Sequence, residues 1–214
     1  VNNLDRKLLD TILPSLSNAR DAKIAVAFLK QTGLALIEDA LVRCLNRGGM
    51  VEFIVGLDFR ITGADALMAL RNMGEEYERL RLYCFSNPLS DDTPLYHPKL
   101  YIFTGMSKAT IVIGSSNLTD GGLRDNIEAN VVLEMGNQEE FLSDVYGLYN
   151  SLKFQPSRFE PDLEFLRDYA RAAERVRAGE REALRQKEFK HLIARLKKKE
   201  EQLPRPKVRP EDLF

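Results

Sequence analysis

Apolar positions recur along the chain at two spacings, and the alternation between them lays out the elements. Lys23–Leu29 (KIAVAFL), Met50–Leu57 (MVEFIVGL) and Leu80–Phe85 (LRLYCF) are apolar runs of strand length. Between the first two, Leu34, Ile37, Leu41 and Leu45 fall three and four apart. This predicts a helix over Gly33–Asn46, ended by Gly48-Gly49. Asp65–Met73 predicts a shorter helix, and Leu4–Leu16 an amphipathic one with Pro14 near its end. Residues 86–95 are polar with two prolines and read as a loop. Beyond it, Leu100–Phe103 and Thr110–Ile113 are β-branched or aromatic runs joined by a turn over Thr104–Lys108. Ile127–Glu134 predicts one more strand, and Gln138–Leu152 a helix.

Alternating strand and helix signals in the first half predict an α/β fold with βαβ units. The later hairpin makes the sheet mixed, though still mostly parallel. KIAVAFL and TIVIG are apolar on both faces, so helices are expected to cover both. Residues 160–203 change character: they are highly charged with a basic excess, and Phe189, Leu192, Leu196 and Leu203 mark one apolar face. Pro204–Phe214 is proline-rich and reads as extended. The expected division is a domain over 1–153 and, over 154–214, a charged helical extension with its tail. For that extension the plain reading is a solvated amphipathic helix. A docking arm that offers Lys197-Lys198-Lys199 to phosphates, or Asp212-Leu213-Phe214 to a partner, is the functional one.

Composition narrows the classes. A net charge of −1 argues against a wholly basic nucleic-acid binder but leaves room for a local basic cleft. No run of eighteen apolar residues predicts a membrane span. The opening Val1-Asn2-Asn3-Leu4-Asp5 is no signal peptide, and a cytoplasmic location is the default expectation. The absence of an initial Met reads as a trimmed or partial chain. Cys44 and Cys84 lie in apolar-patterned stretches and are expected as buried thiols. Two lone cysteines and two histidines make no zinc spacing, so no metal or cofactor is expected.

The chemistry concentrates in two short stretches. His97-Pro98-Lys99 places an imidazole and an ammonium two residues apart, on one face of a strand. Gly114-Ser115-Ser116-Asn117 follows the second strand of the hairpin, and antiparallel pairing returns it beside His97 and Lys99. Histidine can attack phosphorus or carry a proton, lysine neutralises phosphate oxygens, and Ser and Asn donate to them. Arg124, Lys108 and Arg60 are further cations expected to face substrate, with Ser116. Singly, each residue has a plain reading: a strand start at Pro98, a solvated lysine, a turn capped by Thr119 or Asp120, and a water-facing Glu128. Their joint arrangement carries the functional one.

His97-x-Lys99 with Gly114-Ser115-x-Asn117 resembles the HKD motif of the phospholipase D superfamily. Gly114–Leu123, followed by Asn126-Ile127-Glu128, is similar to the branch of nucleases, restriction endonucleases and helicase-associated domains. The resemblance implies that superfamily's α/β sandwich. It implies a metal-independent phosphodiesterase that passes through a phosphohistidine, with DNA or another nucleic acid as substrate. Its site residues would be His97, Lys99, Ser115, Asn117 and Glu128, with Glu128 orienting His97 from the strand after the Ser/Asn turn. Where the family commonly has aspartate, five residues after the lysine, this chain has Thr104. The chemistry needs two histidines in opposed roles, and one motif supplies one. The resemblance therefore also implies a homodimer with one site across its two-fold axis, and a restriction or helicase partner in a larger assembly. A non-catalytic phosphate-binding module and a phospholipase or phosphatidyltransferase stay open as alternatives.

Overall fold

The computed structural model describes residues 1–58, 61–86 and 95–184, with side chains described through residue 175. Two compact units divide the chain, Val1–Ala170 and Arg171–Phe214. The first begins with helix α1 (Leu9–Ser17), strand β1 (Asp21–Val26), helix α2 (Gln31–Asn46), strand β2 (Met50–Gly56), helix α3 (Ala64–Glu76) and strand β3 (Leu80–Phe85). The hairpin β4 (Lys99–Thr104) and β5 (Lys108–Gly114) follows, then a π-helical turn over Gly121–Asp125. Strand β6 (Asn130–Gly136), helix α4 (Glu140–Lys153) and the two-residue β7 (Arg158–Phe159) lead into helix α5 (Leu163–Leu184). The first two turns of α5 belong to this unit: Leu166 is buried in its core, and β7 pairs with β3. Of the second unit the structure describes only the rest of α5. Phe189, His191, Lys197–Lys199 and the tail lie outside the described residues.

The strands form one mixed sheet in the order β6-β5-β4-β1-β2-β3-β7. The α/β class is as expected, but parallel pairing is confined to β1–β2 and β2–β3. The four other pairings are antiparallel. The reason lies in the connections. After β3 the chain enters β4 beside β1 in the opposite sense, turns back into β5 through residues 105–107, and returns in β6 after residues 115–129, which hold the Ser/Asn turn and the π-helical turn.

Alternation along each strand sends side chains to two cores. Ile24, Val26, Phe53, Val55, Tyr101 and Val112 pack under α1, α2 and α3, while Ala25, Ile54, Ile102 and Ile111 pack against Leu142, Val145 and Tyr149 of α4. Cys44 and Cys84 are buried as expected, and burial pushes the Cys44 thiol up to about 11. Helix α1 starts later than its apolar pattern suggested. Asn3 stands at φ 63°, and its side chain accepts from Leu8 N (2.9 Å) and donates to Gly122 O (3.0 Å), so residues 1–8 run as a strap before the helix.

A buried ionic cluster lies on the α4 face, at the end of the sheet away from His97. Paired in register, Lys23 and Glu52 meet at 3.3 Å, Lys23 also reaches Asp21 at 2.9 Å, and Lys153 of α4 reaches Glu52 at 2.9 Å. Burial alone would raise the Glu52 carboxyl, but the hydrogen bonds and charges of Lys153 and Lys23 outweigh it and hold it below its ordinary value. Thr104, at the family's aspartate position, belongs to the same end: its hydroxyl meets Tyr146 Oη at 2.7 Å, and Tyr146 donates to Asp21 at 2.7 Å. A carboxylate is thus present here on the neighbouring strand.

Glu52→Gln removes the anion that both lysines share and should cost about 3 kcal/mol, the scale of a broken buried pair, in urea unfolding at neutral pH. Because the folded carboxyl sits below its unfolded value, its contribution is complete above the unfolded pKa and is lost as pH falls through the folded one. The difference between wild type and Glu52→Gln should therefore shrink on acidification.

Candidate active site

The hairpin does what the spacing requires. Leu100 pairs with Ile113 and Thr104 with Ala109, so His97 and Lys99, where the chain enters β4, lie at the same sheet end as Gly114–Asn117. Lys99 is 7% exposed, held in the strand row opposite Val26, while His97 is exposed just before it. The Lys99 ammonium donates to the imidazole, lying 2.6 Å from Nδ1 and 2.9 Å from Nε2, and also to His97 O at 3.1 Å. An ammonium donor needs a lone pair on the ring, so the neutral imidazole is the form that fits. Desolvation lowers the His97 pKa, and the Lys99 charge lowers it further. Desolvation also lowers that of Lys99, opposed by the charge of Glu128.

Asn117 is oriented from outside the motif. Its Oδ1 accepts from Phe28 N at 3.0 Å, which leaves the Nδ2 hydrogens to face a ligand. Phe28, missed by the sequence reading, also sets its ring edge-on to His97 with centroids 5.7 Å apart, and the Lys99 ammonium lies 6.0 Å from its centroid. Its only signal was an aromatic residue near the end of an otherwise aliphatic run. Gly33 at the start of α2 lets the helix close on the same loop. A Cβ there would come within 2.4 Å of Leu118 O, a contact no side chain tolerates.

Glu128 is placed differently from the expectation. It precedes β6 by two residues, because 126–129 are engaged elsewhere before the ladder begins at Gly114–Asn130. Its carboxylate accepts from Ser115 Oγ and, at 3.4 Å, from Asn126 Nδ2. Ser115 Oγ in turn accepts from Ala129 N at 2.9 Å. Within one chain the carboxylate therefore holds Ser115, while the ring nitrogens of His97 meet Lys99.

The residues expected to bind substrate separate into distinct places. Ser116 is fully buried: its O accepts from Tyr101 Oη (2.9 Å) and its Oγ from Asn130 Nδ2 (2.9 Å), so it braces the loop and presents nothing to a ligand. Lys108 begins β5 beside Gly136, at the other end of the strand from Gly114 and about 20 Å along it, so it is not a site cation. Arg124, on the π-helical turn, pairs with Asp120 at 2.5 Å. Thr119 stabilises that turn, its Oγ1 accepting from Gly122 N at 3.0 Å. Arg60 lies outside the described residues. Among the described residues, no three His, Cys, Asp or Glu side chains gather as they would around a metal ion. No helix among them is long and apolar enough to cross a membrane.

The comparisons agree with this geometry. Residues 12–145, more than half of the chain, match the family described as "Cardiolipin synthase, PLD-like domain". Among solved structures, NucT from Helicobacter pylori superposes with a TM-score of 0.53 at 17% identity, covering 72% of this chain and 91% of that one. Phosphatidylserine synthase of Haemophilus influenzae Rd KW20 gives a TM-score of 0.57 at 17% identity, covering 86% of this chain. Only 45% of that synthase's own length is spanned, and at these identities both likenesses speak for the fold alone. A comparison of the sequence with curated proteins finds no match. With the family matched across the sheet and with His97, Lys99, Ser115 and Asn117 gathered at one sheet end, this chain belongs to the phospholipase D superfamily, whose domains process phosphodiesters.

Proposed function

We propose that the chain is a nuclease that cleaves phosphodiesters of DNA through a phosphohistidine, without a metal ion, in a site completed by a second copy of itself. The observation that carries the reading is the meeting of His97, Lys99 and Asn117 at one end of β4 and β5, with the Lys99 ammonium 2.6 Å from His97 Nδ1. On binding, the phosphoryl oxygens take the Lys99 ammonium and the Asn117 amide, and the ring nitrogen is released for attack. His97 of one copy forms the N–P bond as the P–O bond to the leaving oxygen breaks. The other copy's histidine gives that oxygen its proton, then takes one from water, which displaces the first histidine from phosphorus. The chain's other histidine, His191, is more than ninety residues away in sequence and outside the motif, so a two-histidine reaction calls for a second motif. Glu128 holds Ser115 toward the phosphoryl group. A role restriction or helicase partners would share belongs to the same reading, supported by the resemblance of Gly114–Glu128 to that branch.

Cleavage of DNA in EDTA by wild type and by His97→Asn tests class and nucleophile together. Wild type should cut in EDTA, and the variant should lose about 10³-fold or more. Activity that vanishes in EDTA and returns with Mg²⁺ would overturn the metal-free step. A second reading, phosphatidyl transfer, is favoured by the family description and by the likeness to phosphatidylserine synthase. Headgroup exchange on phospholipid vesicles, with DNA left intact, would establish it instead.

The electrostatics set a pH signature. The nucleophile must be neutral while the other copy's histidine must carry the proton it donates, so kcat/KM should fall on both sides of an optimum, and the acid limb should lie below the ordinary imidazole value because the His97 pKa is lowered. In Lys99→Met the charge contribution is gone while the burial remains. The acid limb of its residual kcat/KM should therefore move to higher pH. A wild-type acid limb at or above the ordinary value would contradict the assignment.

The shared site predicts that subunits are active only in pairs. When wild type is mixed and re-equilibrated with excess His97→Asn, activity should fall as wild-type pairs are diluted out. Full activity in a strict monomer, or in a mixed dimer, would show that one His97 suffices.

A further inference from the structure

We propose that Lys30 holds the phosphate that neighbours the scissile one in a polynucleotide; the inference rests on the nucleic-acid reading of the site. Beyond β1 the chain continues as a clasp. Ala27 N donates to Pro98 O at 2.9 Å, Leu118 N to Phe28 O at 3.2 Å, and Lys30 N to Leu118 O at 3.0 Å. This stretch is extended: Lys30 has φ −127° and ψ 152°, and Leu29 bridges Leu118 in parallel. Leu29 is fully buried, so Phe28 and Lys30 project to the opposite side. Phe28 meets His97, and Lys30 is exposed beside it, about 7 Å further along the chain. An ammonium on a flexible four-carbon stem at that place reaches just past the catalytic pair.

Charge accounting at this sheet end points to the same residue. Lys99 is committed to the reacting group and Arg124 to Asp120, while Lys108 stands at the far end. Lys30 has no carboxylate partner among the described residues. It also occupies a position that stability alone would not give to lysine. It is the N-cap of α2 and makes no side-chain cap bond, and the helix has no acidic residue in its first turn. Ser, Thr, Asp or Asn would cap the helix, and a cation there opposes the helix dipole. A residue that is unfavourable for its own helix, exposed and two residues from the aromatic wall of the site is placed for a ligand's negative charge.

The test is binding of a fluorescently labelled single-stranded oligodeoxynucleotide to the His97→Asn protein, in EDTA over a range of salt concentrations. Adding Lys30→Ser should weaken binding about fivefold at low salt and reduce the slope of log K against log salt by about one. Lys30→Arg should restore both. Lys30→Ser should at the same time melt no lower than its parent, since it gains a cap hydroxyl, so weaker binding will not be a folding defect. Arg79→Ala, at the start of β3 and the other end of the sheet, should leave the slope as it was. An unchanged slope in Lys30→Ser, or no binding by the parent, overturns the proposal. Failure of wild type to cleave DNA would instead overturn the nuclease reading and leave the salt slope to decide the role of Lys30.

Discussion

One backbone amide ties the site together. Phe28 N, just beyond β1, donates to Asn117 Oδ1, and the adjoining bonds from Ala27 to Pro98 and from Lys30 to Leu118 fasten the same segment to both halves of the motif. His97 and Lys99 enter from one side and Ser115 and Asn117 from the other, so neither half is positioned by the hairpin alone. The clasp depends on β1 lying at the middle of the sheet, with β4 antiparallel on one side and β2 parallel on the other. It depends also on α2 closing down on Leu118, which a side chain at position 33 would prevent.

The same arrangement explains the electrostatics. Fixing Lys99 in a buried strand position strips water from its ammonium and turns it onto His97, whose imidazole and carbonyl oxygen it meets. That pairing favours neutral histidine without any carboxylate bonded to the ring. Glu128 acts at one remove, on Ser115. The strongly bonded ion cluster of Lys23, Glu52 and Lys153 is kept at the other end of the sheet, where it joins strands to α4 and leaves the field at the site to Lys99.

Much of this was legible in the sequence because it rests on local rules. Apolar runs located all six of the longer strands, β1 to β6, and 3.6-residue spacing located the helices, since period alone decides which residues meet a core. His97, Lys99, Ser115 and Asn117 were found by spacing because a hairpin maps sequence separation directly onto proximity. What escaped is what depends on non-local pairing. The antiparallel majority follows from how β4 enters beside β1, and no periodicity reports that. Ser116 looks like a ligand residue until Asn130 and Tyr101, from two other strands, enclose it. Lys108 was assigned by charge, although strand length carries it to the wrong end. Phe28 and Lys30 carry no motif; their meaning comes from the bonds that continue β1 past its last ladder pair.

A covalent intermediate on His97 leaves its mark in the stereochemical course at phosphorus. Cleavage of a phosphorothioate diester of one configuration in isotopically labelled water should proceed with net retention, because two in-line displacements each invert the centre. Net inversion would mean that water attacks the diester directly, and His97 would then be a base or a binding group rather than the nucleophile.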